Sequence, residues 1–254
     1  MKGILEAVTW GVIQGLTEFI PVSSSGHLVL IPRFLEIGAP NIIFTIFLHV
    51  GTLLAVVIFF RKALIMLFTK ERRLGLLVLT STIPIFICGL LFADKIKMLF
   101  DLPRCVGYML IINGAIIIMA HIKSRLINDR PPKSYSFLRT FIIGIAQAFA
   151  LLPGISRSGI TITAGMYGGL NKKEAYRFSF FLFVPAILLA ITYSVKEMAV
   201  MEYAFSFNMI IGTIVSAVCG ILALKFLLFM LMKARLYILG VYSVILGIFS
   251  IIIF

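Results

Sequence analysis

Gly11-Val12-Ile13-Gln14-Gly15-Leu16-Thr17-Glu18-Phe19-Ile20-Pro21-Val22-Ser23-Ser24-Ser25-Gly26-His27 interrupts an otherwise apolar chain with a carboxylate, a proline, serines and a histidine. A second stretch looks like its copy, running from Gly144 through Gln147 and Pro153 to Ser156-Arg157-Ser158-Gly159-Ile160-Thr161. A shift of 133 positions, without a gap, places Gly11, Gln14, Ser23, Ser25 and Gly26 on Gly144, Gln147, Ser156, Ser158 and Gly159. Polar backbone broken by glycine and proline is tolerated at membrane depth only where it lines a cavity or is buried in protein. Interrupted segments at matching positions of two halves point to the working site of a membrane protein.

The surrounding sequence is greasy. Of 254 residues, 61% are hydrophobic and 13% charged, with a mean hydropathy of +1.11; a soluble domain carries about a quarter charged residues. Six segments, 42–60, 74–93, 105–121, 178–195, 208–231 and 236–254, read as full spans bounded by charges or a chain end. Regions 3–36 and 138–170 differ. Each is an apolar helix too short for a comfortable crossing, a Pro/Ser/Gly break and a second short apolar piece, which suits a re-entrant hairpin. The expected fold is an all-α integral membrane protein with six transmembrane helices and two re-entrant helical hairpins, one domain over 1–254. Lys2 and the apolar run after it resemble a secretion signal, but Glu6, Gln14 and Glu18 break the run and no small-residue cleavage site follows, so the segment is expected to stay.

The likeness extends beyond the two motifs. Phe47-Leu48-His49-Val50 resembles Phe181-Leu182-Phe183-Val184, and Cys88-Gly89 matches Cys219-Gly220. Repeat halves of about 1–121 and 138–254 then each hold one hairpin and three spans. An odd number of spans orients the halves oppositely, an inverted-topology repeat. On this topology loops 61–73, 121–139, 171–177 and 232–235 share one side and carry fifteen Lys and Arg residues, against six on the other. The positive-inside rule makes the basic side cytoplasmic and turns both termini outward. The net charge of +13 follows from topology and anionic lipid, so nucleic acid is not an expected partner. Cys88, Cys105 and Cys219 are isolated in apolar sequence, without metal-ligand spacing, and read as small buried hydrophobes.

Gln14 and Glu18, four residues apart, share a helix face with Trp10 one turn earlier. A carboxylate inside a span costs about 2.5–3.5 kcal/mol, so Glu18 should face a cavity and have a partner. It reads as a metal ligand or general base, with a structural contact between helices as the alternative. Gln14 offers an amide oxygen to a hard cation. Ser23, Ser24, Ser25, Gly26 and His27 supply hydroxyls, an imidazole and free N–H groups at a helix start, the makings of a phosphate site or of an activated nucleophile; ordinary capping is the bland reading. Arg157, flanked by Ser156, Ser158 and Thr161, needs an anion at its depth, and its fork suits phosphate or carboxylate. A structural pair with Glu18 is the alternative. His49 reads as a helix-end structural residue that could reach the same cavity. Gly11/Gly15 and Gly144/Ala148 read as small pairs for close helix packing.

These residues carry a resemblance to the bacterial undecaprenyl-diphosphate phosphatases of the bacitracin-resistance type. Their first signature, E/Q-x-x-x-E followed by P-V-S-S-S/T-G-H, is filled by Gln14, Glu18, Pro21 to Gly26 and His27. Their second, P-G-x-S-R-S-x-x-T, is filled by Pro153, Gly154, Ser156, Arg157, Ser158 and Thr161. The resemblance implies hydrolysis of a C55 lipid diphosphate to the monophosphate with a divalent cation (Mg or Ca). It implies that Glu18 and Gln14 bind metal or water, that Ser24 and His27 are the candidate nucleophile and acid/base, and that Arg157 clamps the diphosphate. Ser23, Ser25, Gly26, Ser156, Ser158 and Thr161 are the expected substrate-binding residues. Two departures stand out. Gln14 lacks the second carboxylate of a two-carboxylate metal scheme, and Tyr242 is followed by Ser243 where some members have arginine. The expected partners are a polyprenyl diphosphate lipid, membrane lipids and a second copy of the chain. The expected place is the bacterial inner membrane, with the active site opening outward. A polyprenyl-phosphate flippase using the same midplane site is the rival function.

Overall fold

The computed structural model describes residues 2–35, 38–127, 134–198 and 206–254; Arg130 and Lys133, counted in the charge asymmetry, lie outside them. The described residues fold as α-helices: α1 (Lys2–Phe19), α2 (Ser24–Leu35), α3 (Ile42–Thr69), α4 (Arg72–Leu91), α5 (Ala93–Phe100), α6 (Pro103–Leu126), α7 (Phe137–Ala148), α8 (Arg157–Tyr167), α9 (Lys172–Met198), α10 (Phe207–Met232) and α11 (Tyr237–Ile253). A single 3-10 turn, Phe149–Leu151, extends α7.

Among the described residues, five helices are long and apolar enough to cross a membrane: α3, α4, α6, α9 and α10. The sequence leads one to expect six. α11 is apolar but has 17 residues, about 25 Å of helix against a hydrocarbon core of about 30 Å. α3 runs past Arg61 and Lys62, where the sequence suggests an end, because no breaker follows and long basic side chains reach the interface from within a helix. It starts where the Asn41 side chain accepts the Phe44 N–H at 2.8 Å, and its last N–H, of Lys70, bonds the Met66 carbonyl.

Small residues bring the helices together, because close backbone approach drives association where lipid cancels the hydrophobic gain. α1 lies along α10: a Cβ at Gly11 would sit 2.9 Å from the Gly212 carbonyl oxygen, and one at Gly15 2.5 Å from that of Ser216. α7 lies along α4 in the same manner, a Cβ at Gly144 falling 2.1 Å from the Ser81 oxygen. Gly11 and Gly144 are repeat-equivalent at a shift of 133, and Ser81 and Gly212 at the shift of 131 that relates the cysteines. The first helix of each half, α1 or α7, therefore lies on the repeat-equivalent helix of the other half, α10 or α4. α6 and α11 pack reciprocally, with Gly107 against Gly247 and Gly114 against Gly240.

The two breaks meet inside this frame. Ser23, at φ +68°, turns the chain into α2, and Gly154, at φ +106°, turns it toward α8. Gly154 tolerates that conformation for want of a Cβ, which would also strike the Val106 oxygen at 2.7 Å. Asn113, fully buried in α6, ties the breaks together: its Nδ2 donates to the Pro21 carbonyl at 3.1 Å, and its Oδ1 accepts the Ser156 N–H at 2.9 Å. Beneath them lies an aromatic core in which Phe19 meets Phe180 and Phe183 edge-on at 5.5 and 5.6 Å.

Candidate active site

Glu18 is the hub of a polar cluster in an apolar bundle. Its Oε2 accepts the Ser24 hydroxyl at 2.7 Å and the Gln14 Nε2 at 2.9 Å. Its Oε1 stands 3.6 Å from Arg157 Nη2. α1 supplies Gln14 and Glu18, α2 opens with Ser24, and α8 opens with Arg157, so two helix starts and one helix end converge. His49 of α3 joins them, its Nδ1 3.0 Å from Gln14 Nε2 and 3.9 Å from Glu18 Oε2. The sequence reading sets this histidine aside as structural; the fold brings it into the cluster.

Arg157 is held by aromatic faces. Its guanidinium carbon lies 4.2 Å from the Phe183 ring centre and 5.6 Å from that of Phe180, a stacking that suits a planar, weakly hydrated cation. Nη1 donates to the Ser179 carbonyl at 3.4 Å, whereas Nη2 is buried without a hydrogen-bond partner. A buried guanidinium short of acceptors is poised for an anion.

The remaining motif residues hold the loops in a repeated pattern. Ser23 Oγ and Ser25 Oγ are 3.1 Å apart, and Ser23 Oγ accepts the Gly26 N–H at 3.2 Å. Ser156 Oγ and Ser158 Oγ are also 3.1 Å apart, and Ser156 Oγ accepts the Gly159 N–H at 3.2 Å. Each loop then reaches across to the other: Ser25 Oγ accepts the Gly154 N–H at 3.4 Å, and Ser158 Oγ donates to the Phe19 carbonyl at 2.9 Å. Thr161 Oγ1 bonds the Arg157 carbonyl and the Ser179 hydroxyl, both at 2.7 Å. The hydroxyls expected to bind substrate through Ser23, Ser25, Ser156, Ser158 and Thr161 are thus engaged with protein partners. They act as caps and cross-braces. The Cα of Gly26 lets α2 pass close to Leu110 and Gly154. What the braces leave open is position 24 and its repeat-equivalent 157, the first residue of each helix, where N–H groups have no intrahelical acceptor.

His27 faces the other way. Its Nδ1 lies 2.8 Å from the Ser23 carbonyl oxygen, which only accepts, so Nδ1 carries the proton. Nε2 then accepts the Tyr242 hydroxyl at 2.7 Å. Both ring nitrogens are engaged away from Glu18, whereas the Ser24 hydroxyl points at that carboxylate.

The profile of the family described as bacitracin resistance protein BacA matches residues 7–249. The chain belongs to the BacA family. It is 39% identical over 255 residues to the undecaprenyl-diphosphatase of Halothermothrix orenii, covering 98% of this chain and 97% of the relative. It is 36% identical to that of Methanosphaera stadtmanae, over 99% and 98% of the two chains, and 37% identical to that of Desulfosudis oleivorans, over 96% of each.

Two residues of this BacA chain escaped the sequence reading as parts of the site, Asn113 and Tyr242, while His49, which that reading allowed to reach the same cavity, is brought into the cluster. Asn113 leaves a signal, a lone amide in the middle of the span 105–121. Tyr242 registers there only for the arginine absent after it. In the structure Tyr242 itself makes the contact to His27, while Ser243 accepts from Asn113 at 3.2 Å.

Proposed function

We propose that this chain hydrolyses undecaprenyl diphosphate to undecaprenyl phosphate and inorganic phosphate, recycling the lipid carrier for cell-wall synthesis. One observation carries the reading: Ser24 donates to Glu18 at 2.7 Å while the same carboxylate faces the under-bonded guanidinium of Arg157 at 3.6 Å. A nucleophile, a base and an anion clamp thus stand side by side. Glu18 takes the Ser24 proton as Oγ attacks the terminal phosphorus, the phosphoanhydride bond breaks, and undecaprenyl phosphate leaves with that proton. Water, giving a proton to Glu18, then displaces Ser24 from phosphorus, inorganic phosphate departs, and Glu18 returns the proton to Oγ. Arg157 meanwhile turns from Glu18 to the phosphoryl oxygens and offsets their charge in a site sheltered from bulk water. The two helix starts add free N–H groups to the anion's surroundings. His27, braced by Tyr242, fixes the loop that presents Ser24.

The donor set fits a divalent cation of the Mg type. Gln14 Oε1 is buried with no hydrogen-bond partner, on the amide whose Nε2 donates to the Glu18 carboxylate. Among the described residues no cluster of three or more His, Cys, Asp or Glu could hold a metal by itself. One carboxylate and one amide oxygen suit an ion that completes its shell with water and substrate phosphate, as Mg does, better than Ca with its six to eight oxygens. When bound, the cation would offset diphosphate charge, and Glu18 and Gln14 would hold it.

The reading places the chain in the bacterial inner membrane with six crossings and two re-entrant hairpins, the site opening outward. The matched serine–glycine pattern at 23–26 and 156–159 and the matched packing of α1 on α10 and α7 on α4 support the inverted repeat. All cluster residues come from one chain, so a homodimer would not be needed to complete the site. The test is phosphate release from the lipid diphosphate by protein purified in detergent, with chelator and with Mg added back. Glu18→Gln and Arg157→Met should each lose nearly all turnover; near-normal rates in both would overturn the assignment. Detergent also separates hydrolysis from flipping, which needs two leaflets.

A further inference from the structure

His49 occupies a place in the cluster that no motif assigns to it. A carboxylate only accepts, so the Gln14 amide must turn its nitrogen, not its oxygen, toward Glu18 Oε2. That nitrogen has a second hydrogen, and His49 Nδ1 lies 3.0 Å away to receive it. Nδ1 is therefore an acceptor, and the proton of the neutral ring sits on Nε2. Among the described residues Nε2 has no hydrogen-bond partner. His49 also keeps 26% of its side-chain surface accessible, against 9% for Glu18 and 12% for Arg157. The ring is held at one end by Gln14 and carries an N–H donor at the other, and its Nδ1 lies 3.9 Å from the carboxylate that faces Ser24 and Arg157.

We propose that His49 is a further catalytic residue: a neutral imidazole, locked by Gln14 as the Nε2–H tautomer, that donates a hydrogen bond to a phosphoryl oxygen of the diphosphate opposite the Arg157 clamp. The inference rests on the phosphatase reading above. It also gives Gln14 a defined part. Its amide nitrogen orients two side chains, Glu18 and His49, and only its Oε1 is left for a cation. A glutamate at position 14 would lack that nitrogen and could not fix both neighbours in this way.

The tautomer can be read without turnover. The chain has three histidines, so a protein labelled with 15N-histidine in detergent gives a spectrum assignable by His27→Gln and His121→Gln variants. At neutral pH the His49 signals should show Nε2 protonated and Nδ1 bare, and Gln14→Met should abolish that pattern. Kinetically, His49→Ala should lower kcat by about 10²-fold, the scale of one lost charge-stabilising donor, with KM changed by no more than about threefold. His49→Gln, which retains a terminal N–H donor, should recover most of the rate. An Nδ1–H tautomer, or equal rates in His49→Ala and His49→Gln, overturns the proposal. If His49→Ala does not fold, the spectrum and the His49→Gln rate decide. Loss of rate in Glu18→Gln and Arg157→Met alongside an unaffected His49→Ala sinks this inference alone; full activity in all of them sinks the phosphatase reading itself.

Discussion

The Ser24 hydroxyl donates to Oε2 of Glu18 at 2.7 Å across the break between α1 and α2. Six residues separate the two, and the left-handed backbone of Ser23 is what folds one back on the other. Ser24→Ala should therefore reduce phosphate release by about 10³-fold or more and lower the melting temperature modestly, since the buried Glu18 carboxylate loses one donor at a cost of about 1–3 kcal/mol. Release assayed beside a thermal melt in detergent checks both halves of this statement. A drop of only a fewfold would assign the attack to water.

Arg157 and Glu18 form a buried pair, so removing one partner leaves the other charge uncompensated. Arg157→Met should destabilise the protein by about 3–5 kcal/mol. Adding Glu18→Gln to it should restore part of that loss. Arg157→Lys should fold but turn over poorly, since an ammonium lacks the fork and stacks less well on Phe183. Unfolding of the four proteins under one detergent condition measures the coupling.

Gly144 and Gly89 are predicted to respond oppositely to alanine. A Cβ at Gly144 would lie 2.1 Å from the Ser81 carbonyl oxygen, whereas at Gly89 nothing lies within 4 Å. Gly144→Ala should force α7 off α4 and cost several kcal/mol by overpacking, on the order of 1–3 or more. Gly89→Ala should be neutral or stabilising by about 0.5–1 kcal/mol, the helix preference of alanine over glycine. Melting temperatures rank the two directly.

Tyr242→Phe removes the donor to His27 Nε2 and leaves a buried acceptor bare, a cost of about 1–3 kcal/mol. Because His27 here braces the Ser24 loop rather than touching Glu18, the rate should fall by about tenfold and not vanish. A loss as deep as that of Ser24→Ala would return His27 to the reacting centre.

Asn113→Leu should cost about 2–4 kcal/mol, since it deletes bonds to Pro21, Ser156 and Ser243 and strands the first two groups in an apolar interior. The substitution fills similar volume, so the loss reports the hydrogen bonds. Chemical denaturation compared with the parent protein gives the value.

Much of the architecture could be read from residue pattern alone, because membrane helices announce themselves by length and hydropathy and because Pro21, Pro153 and the flanking serines mark where they break. The pairing of Glu18 with Arg157 was legible as two charges in an apolar setting, each needing a partner. α5 was not, since Asp94, Lys95 and Lys97 make a short amphipathic segment look like a loop. The extension of α3 to Thr69 was hidden by Arg61 and Lys62, whose charges suggest an end the backbone does not make. His49 was ranked as structural first because its contact is with Gln14, thirty-five residues away, and a lone histidine at the start of a span carries no spacing to favour the site. The cross-bracing by the serines was not legible either. Hydroxyls at a helix start serve capping and recognition alike, and only their partners in the fold distinguish the two.

The interlocking of the two broken loops has a consequence for biosynthesis. Glu18 enters the bilayer with the earliest part of the nascent polypeptide, yet its counter-ion and the phenyl rings that cradle it arrive only after residue 183 has been translated. Until then the carboxylate lacks the guanidinium that faces it in the folded chain. A first half made alone would therefore carry an unpaired carboxylate in its apolar helices and could not complete the cluster without the second half.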